Sequence, residues 1–331
     1  MKINTKNILI GLALLGTATI NVRAAAYTFT PLKVAPPAGN LGTYANGIDG
    51  NNVVGRYTDS DYNGHGFLYN GSSFTTLNAS ALTAISTAAY GISGNKIVGE
   101  YMDSAYKTHG FLYNGSTYTA LDVTHPELRA TTAMGVSAAG NIAGYYTTFD
   151  GTTSGTYGFL YNGSTYTTLN APGASGSGTK ATSIYGTTVA GYYYGALGAV
   201  HGFLYNSTSS SYTTLDFSGA TETYIYGIDG ANVVGYYTKD GGNHGFLYDG
   251  LNWTTVDNPA GVVGSTAVTG ISGGTLVGQY QEETPDGYQW AGFTTATAAV
   301  PEPSQWAMMG VTFVGVAGFV IRQRRAKAAA R

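Results

Sequence analysis

The chain has 331 residues, 49 of them Gly and 28 Tyr, with no Cys, 10% charged residues and a formal charge of −3. Three basic residues lie before residue 27 and five after residue 298, which leaves the stretch between them seven Lys plus Arg against 17 Asp plus Glu, a charge near −10. That balance excludes nucleic acid as a partner, because a phosphate backbone needs a basic surface. The absence of Cys excludes a disulfide scaffold.

Residues 1–26 come first. Lys2 and Lys6 precede an apolar run from Ile8 to Ala18, and Ala24-Ala25-Ala26 follow. That is the layout of a secretory signal peptide with cleavage after Ala26, so residues 27–298 are expected outside the inner membrane. The next segment, "FTPLKVAPPAG" from Phe29, aligns with "FTTLNAS" from Phe74 and "YTTLNAPGAS" from Tyr166. It reads as one strand of a unit whose other strands lie elsewhere in the chain.

The unit itself recurs from about residue 40 onward. Its copy at 83–122, "TAISTAAYGISGNKIVGEYMDSAYKTHGFLYNGSTYTALD", holds four short strand signals rich in Tyr, Phe, Val, Ile and Thr. The glycine of the second strand falls at Gly55, Gly99, Gly144, Gly191, Gly235 and Gly278, at steps of 44, 45, 47, 44 and 43. Between the third and fourth strands stand Asn70-Gly71, Asn114-Gly115 and Asn162-Gly163. Such dipeptides predict a type I′ hairpin with positive φ at both positions. The sixth unit stops after its third strand, and Phe29–Lys33 supplies the fourth. Four strands per unit of about 45 residues predict an all-β, six-bladed β-propeller of four-stranded blades, with the N-terminal strand closing the last blade. Pro31 suits that outer strand, where a missing N–H is tolerated.

Candidate chemistry is sparse. His65, His109, His201 and His244 hold equivalent third-strand places, about 10 Å farther from the axis than the first strand. They cannot converge on a metal, which needs ring nitrogens about 2.0–2.1 Å away. Their expected role is structural, bonding a turn or a neighbouring blade. Asp59, Asp61 and Asn63 match the first half of a calcium loop, but Asn70 stands where the closing glutamate belongs. The six positions after the Gly-Ile pair do converge on the axis: Asp49, Ser93, Ser137, Tyr185, Asp229 and Ser272. They are expected to line one channel mouth, where they either hold water or bind a cation or a sugar hydroxyl. No Ser-His-Asp set, nucleotide loop or HExxH helix is present, so neither catalysis nor a cofactor is expected.

The last segment, 299–331, combines an uncharged run over 306–321 with Arg322, Arg324, Arg325 and Lys327. Sixteen helical residues span about 24 Å, and Trp306 and the arginines extend that reach toward a ~30 Å hydrocarbon core. The basic end is expected to stay cytoplasmic.

With Pro301, Glu302 and Pro303 ahead of the apolar helix and Arg322, Arg324 and Arg325 behind it, this tail resembles the PEP-CTERM sorting signal of Gram-negative bacteria. The resemblance implies processing by an exosortase and delivery from the inner membrane to the cell surface or extracellular matrix. The units, with Gly47-Ile48-Asp49, Val54-Gly55-Arg56-Tyr57 and His65-Gly66-Phe67, resemble extracellular HAF repeats. Tyr157 and Ala291 replace the histidine, and Ser183 replaces the first glycine. This second resemblance implies an exported repeat protein and carries no catalytic set.

Tyrosine faces stack on sugar rings, so the expected function is non-enzymatic contact with extracellular polysaccharide. Two other readings stay open. One is a polysaccharide lyase or hydrolase at the channel mouth, and the other is a purely architectural surface protein.

Overall fold

The computed structural model describes residues 27–34, 40–175 and 178–297. The expected signal peptide and the expected sorting tail, with Pro301–Pro303, the 306–321 run and Arg322–Arg325, lie outside the described residues. Six antiparallel blades span residues 40–77, 86–121, 128–169, 179–214 and 222–255, with 267–297 joined by Tyr27–Leu32. In blade 1 the strands are Asn40–Asp49, Asn52–Asp59, Gly64–Tyr69 and Phe74–Leu77, running from the axis outward. Single parallel bridges, such as Ala130 to Thr108 and Gly42 to Trp290, tie a third strand to the first strand of the next blade.

Ring closure follows the sequence expectation. Tyr27–Leu32 pairs antiparallel with Gly287–Thr297, with Phe29 opposite Thr295 and Pro31 opposite Phe293. The strand begins two residues earlier and ends one residue earlier than the alignment placed it. Pro31 sits in the outermost strand, where no ladder bond is lost.

The core is divided among the blade junctions. Each of six apolar clusters joins one blade to its neighbour, as where Val54 and Leu77 of blade 1 meet Ala89, Ile92, Ile97 and Phe111 of blade 2. The last junction carries Val277 of blade 6 and Leu32 against Val53 and Phe67 of blade 1. Each junction holds one third-strand Phe (Phe67, Phe111, Phe159, Phe203, Phe246 or Phe293), at no more than 1% exposure. Burying each such ring contributes about 2–3 kcal/mol. The recurring second-strand glycine makes this possible. Gly55 lies opposite Phe67, and a Cβ there would stand 2.7 Å from the Phe67 ring and collide with the Tyr44 carbonyl.

The third-to-fourth strand hairpin corrects a sequence expectation. Tyr69 pairs with Phe74, so the loop holds four residues, and only the glycine takes positive φ (Gly71, 92°) while Asn70 does not. The turn is therefore not type I′. Asn70 Oδ1 accepts the amides of Ser72 and Ser73 at 3.0 and 2.9 Å, and the Tyr69 hydroxyl donates to the Gly71 carbonyl at 2.8 Å. A side-chain acceptor, not a backbone preference, selects Asn here. Asp249 serves equally well, accepting from Leu251 and Asn252.

Candidate functional site: the central channel

The first strands surround a cavity of about 820 Å³ that runs through the ring. Its size falls within the roughly 300–1,000 Å³ typical of small-ligand sites. Every first strand carries a register shift at the same position of the repeat, after Ala45, Ala89, Ala133, Ala181, Ile225 and Val268. The inserted residue breaks strict alternation, so Ala45 and Ile48 are both core residues although three apart. It also changes which residues meet the axis on either side of it.

At the end of the channel where first strands turn into second strands, the structure brings together Asp49, Ser93, Ser137, Tyr185, Asp229 and Ser272, as expected. Several of them are engaged with backbone. Asp49 Oδ2 accepts the Gly94 amide of the next blade at 2.6 Å, and Asp229 Oδ2 accepts the Gly273 amide at 2.8 Å. Ser272 Oγ accepts the Gly50 amide at 3.0 Å, and Ser137 Oγ accepts that of Asn141 at 3.1 Å. Tyr185 is half exposed. Three of the six thus fasten one blade to the next.

The middle of the channel is a ring of backbone. A Cβ on Gly91 would stand 2.6 Å from the Met134 carbonyl oxygen and 2.9 Å from the Gly135 Cα, and one on Gly135 would stand 2.8 Å from the Ser183 Cα. Close approach of first strands is what this glycine permits. The bulge residues reach across it: Asn46 Nδ2 donates to the Ala89 carbonyl at 2.8 Å, and Thr182 and Thr269 donate to those of Ile225 and Ala45 at 2.8 and 2.6 Å.

Beyond this waist the channel opens into an aromatic chamber that sequence reasoning missed. Tyr44, Arg56, Tyr90, Tyr226, Tyr236 and Trp290 line it. The Arg56 guanidinium lies 4.2 Å from the Tyr44 ring centre, and the Tyr44 and Trp290 rings are 6.2 Å apart. Tyr224 and Tyr236 stack at 4.6 Å, and Tyr192 meets Tyr224 edge-on at 4.9 Å. Glu100 receives the Tyr90 hydroxyl at 2.9 Å and the Thr132 hydroxyl at 2.8 Å. Lys180 Nζ stands 4.7 Å from the Tyr145 ring centre. Burial, with Glu100 adding to it, pushes the Tyr145 phenol up to about 12. Burial likewise raises Tyr90, Tyr192, Tyr226 and Tyr236, so these hydroxyls remain donors at neutral pH. The same desolvation lowers Lys180, with Glu100 opposing it.

One signal for this chamber exists in the repeats. The residue after the second-strand glycine is Arg56, Glu100, Tyr145, Tyr192, Tyr236 and Gln279 in the six copies, whereas the glycine before it never changes.

The histidines lie outside the channel and make contacts within their own blades. His65 is 2.8 Å from Asp59 Oδ2 through Nε2 and 3.1 Å from Asn78 Oδ1 through Nδ1, and its ring stacks on Tyr57 at 5.0 Å. His109 repeats this with Asp103, Asp122 and Tyr101. Of the two expected roles, His65 and His109 show turn bonding, while His201 and His244 bond Asp216 and Asp257 just past their own fourth strands and not a neighbouring blade. Asp59, first residue of the calcium-like loop, also accepts the amides of Asp61 and Asn63 at 2.9 and 2.8 Å. Those bonds and His65 hold its carboxyl down to about 2. The carboxylate is taken up by its own turn. No group of three or more His, Asp or Glu suited to a metal occurs among the described residues.

The geometry defines a six-bladed β-propeller with a lined axial cavity. SapL1 lectin in complex with alpha methyl fucoside is similar over 80% of this chain and 98% of that one, at 15% identity and a TM-score of 0.50. A putative TolB from Agrobacterium tumefaciens is similar over 80% and 92%, at 14% identity and a TM-score of 0.50. The Aleuria aurantia lectin, described as a six-bladed β-propeller, gives 78%, 96%, 16% and 0.43. At these identities the likeness is one of fold. No protein-family model and no curated protein matches the chain.

Proposed function

We propose that the protein is an exported, non-enzymatic propeller that binds extracellular polysaccharide at the cell surface or in the matrix, after sorting by an exosortase. The observation that carries the binding reading is the aromatic chamber, where ring faces for stacking stand beside phenol and amide groups able to bond sugar hydroxyls. A lectin solved with a fucoside on a similar fold supports it. The sorting reading rests on Pro301-Glu302-Pro303, the apolar run and the Arg322–Arg325 cluster.

Hydrolysis or lysis at the mouth is the weaker reading. Asp49 and Asp229, its two acids, each accept a turn amide of the next blade, a role that calls for a fixed carboxylate. Co-sedimentation of the purified protein with the producer's own exopolysaccharide tests the proposal. Saturable pelleting without release of soluble sugar is the expected result. Absence of pelleting overturns the binding reading, and released sugar overturns the non-enzymatic one.

A further inference from the structure

The chamber has a charge that its surroundings leave unanswered. Arg56 is the one Lys or Arg among the channel-lining residues, in a domain whose charge is near −10. Among the described residues no carboxylate stands within ion-pair distance of its guanidinium, although Lys33 pairs with Glu282 at 2.6 Å. Glu100, at the same place in the next blade, borders a cleft of about 200 Å³ together with Arg56. Both of its oxygens, however, are turned to the hydroxyls of Tyr90 and Thr132. Arg56 rests on the Tyr44 face instead.

A guanidinium drawn partly out of water without a counterion is costly, and stacking on one ring offsets only part of that. Its planar fork matches a carboxylate with two parallel hydrogen bonds. Glu100 and Glu222 beside the chamber are engaged by the hydroxyls of Tyr90, Thr132 and Thr238, and the acids of the cavity lining, Asp49 and Asp229, lie at the other end beyond the glycine waist. The chamber therefore joins three things in one place: an unpaired planar cation, aromatic faces and phenol oxygens.

We infer that the chamber takes an acidic sugar residue, its carboxylate paired with Arg56 and its ring lying against Tyr44 and Trp290. This rests on the polysaccharide-binding reading and narrows it to uronate-containing chains. The strongly negative domain repels such polymers in general, so binding to them must come from a local cationic site and not from a diffuse field.

The test compares polygalacturonate with the same polymer after chemical reduction of its carboxyl groups, using the purified protein and its Arg56→Gln variant. Polygalacturonate is expected to bind the wild type, and Arg56→Gln to weaken it about tenfold or more, the scale of a lost charge-assisted pair. The reduced polymer should bind the wild type no better than the acid binds the variant. Lys239→Gln, far out on a blade turn, should change nothing.

Equal affinity of the wild type for both polymers overturns the inference and leaves polysaccharide binding standing. Failure of both polymers and of the native exopolysaccharide removes both readings together. If Arg56→Gln lowers the unfolding midpoint, the two-polymer comparison on unaltered protein decides alone.

Discussion

The two ends of the central channel are built from the same six strands and differ in what the repeats keep constant. At the turn end, short polar side chains recur in five of the six copies and three of them bond to the next blade, as Asp49 does to Gly94 and Asp229 to Gly273. At the chamber end, equivalent positions hold Arg56, Glu100, Tyr145, Tyr192, Tyr236 and Gln279, six places with four residue types and three kinds of charge. What is copied around the ring maintains the ring. What is not copied is free to serve a ligand, which has no six-fold symmetry.

That contrast predicts that copied residues govern stability and uncopied ones govern binding. The largest effect belongs to a junction phenylalanine. Phe111→Ala should cost about 3–5 kcal/mol, read from urea unfolding, because the ring fills a junction that cannot collapse around the Gly99 backbone.

A buried threonine comes next. In every blade one Thr on or just before the first strand accepts an amide from the incoming connection, as Thr131 does from Val123 at 3.3 Å and Thr43 from Val34 at 3.2 Å. Thr131→Val keeps the volume and leaves that amide unpartnered, for an expected loss of about 1–3 kcal/mol.

The two channel ends can then be set directly against each other. Asp49→Ala should lower stability by about 1 kcal/mol and leave polysaccharide binding intact. Tyr44→Leu should cost about 0.5–1 kcal/mol from the lost cation–π contact and weaken binding severalfold. The reverse pattern would move the ligand site to the turn end.

The smallest effect is at Asp59. Its carboxyl is depressed from the ordinary 3.8 to about 2, so its contribution is complete above 3.8 and lost as pH falls through about 2. Wild type and Asp59→Asn should differ in urea midpoint at pH 6 and converge near pH 2. A gap that persists at pH 2 would show that the turn does not depend on the charge.

The fold was readable because repetition exposes it. Six Gly–Phe pairs at a near-constant step and one missing strand leave little choice of architecture. The hairpin was misread because Asn-Gly is an ambiguous signal: Asn70 works through its side-chain oxygen, closing a four-residue loop, and the backbone twist of a two-residue turn is not involved. The six turn-end positions were found because they follow a recurring pair, Gly-Ile in four copies and Gly135-Val136 and Ser183-Ile184 in the other two. The chamber was not found, since with 28 tyrosines aromatic character alone selects nothing. Which tyrosines face the axis depends on the bulge after Ala45 and its counterparts, a one-residue insertion that resets the alternation.

The closing strand also imposes an order in time. Phe29 must find Thr295, whereas the other antiparallel ladders join strands that follow one another directly in the sequence. Bringing such distant ends together adds only slowly growing entropy, but it comes after five junctions already exist. Until Gly287–Thr297 has been made, blade 1 lacks its neighbour and Tyr27–Leu32 lacks a partner, so two unpaired edges wait on the same molecule. The strand translated first is the last to dock, and a chain interrupted before that point leaves its ring open, with the edges of its strands available to another copy.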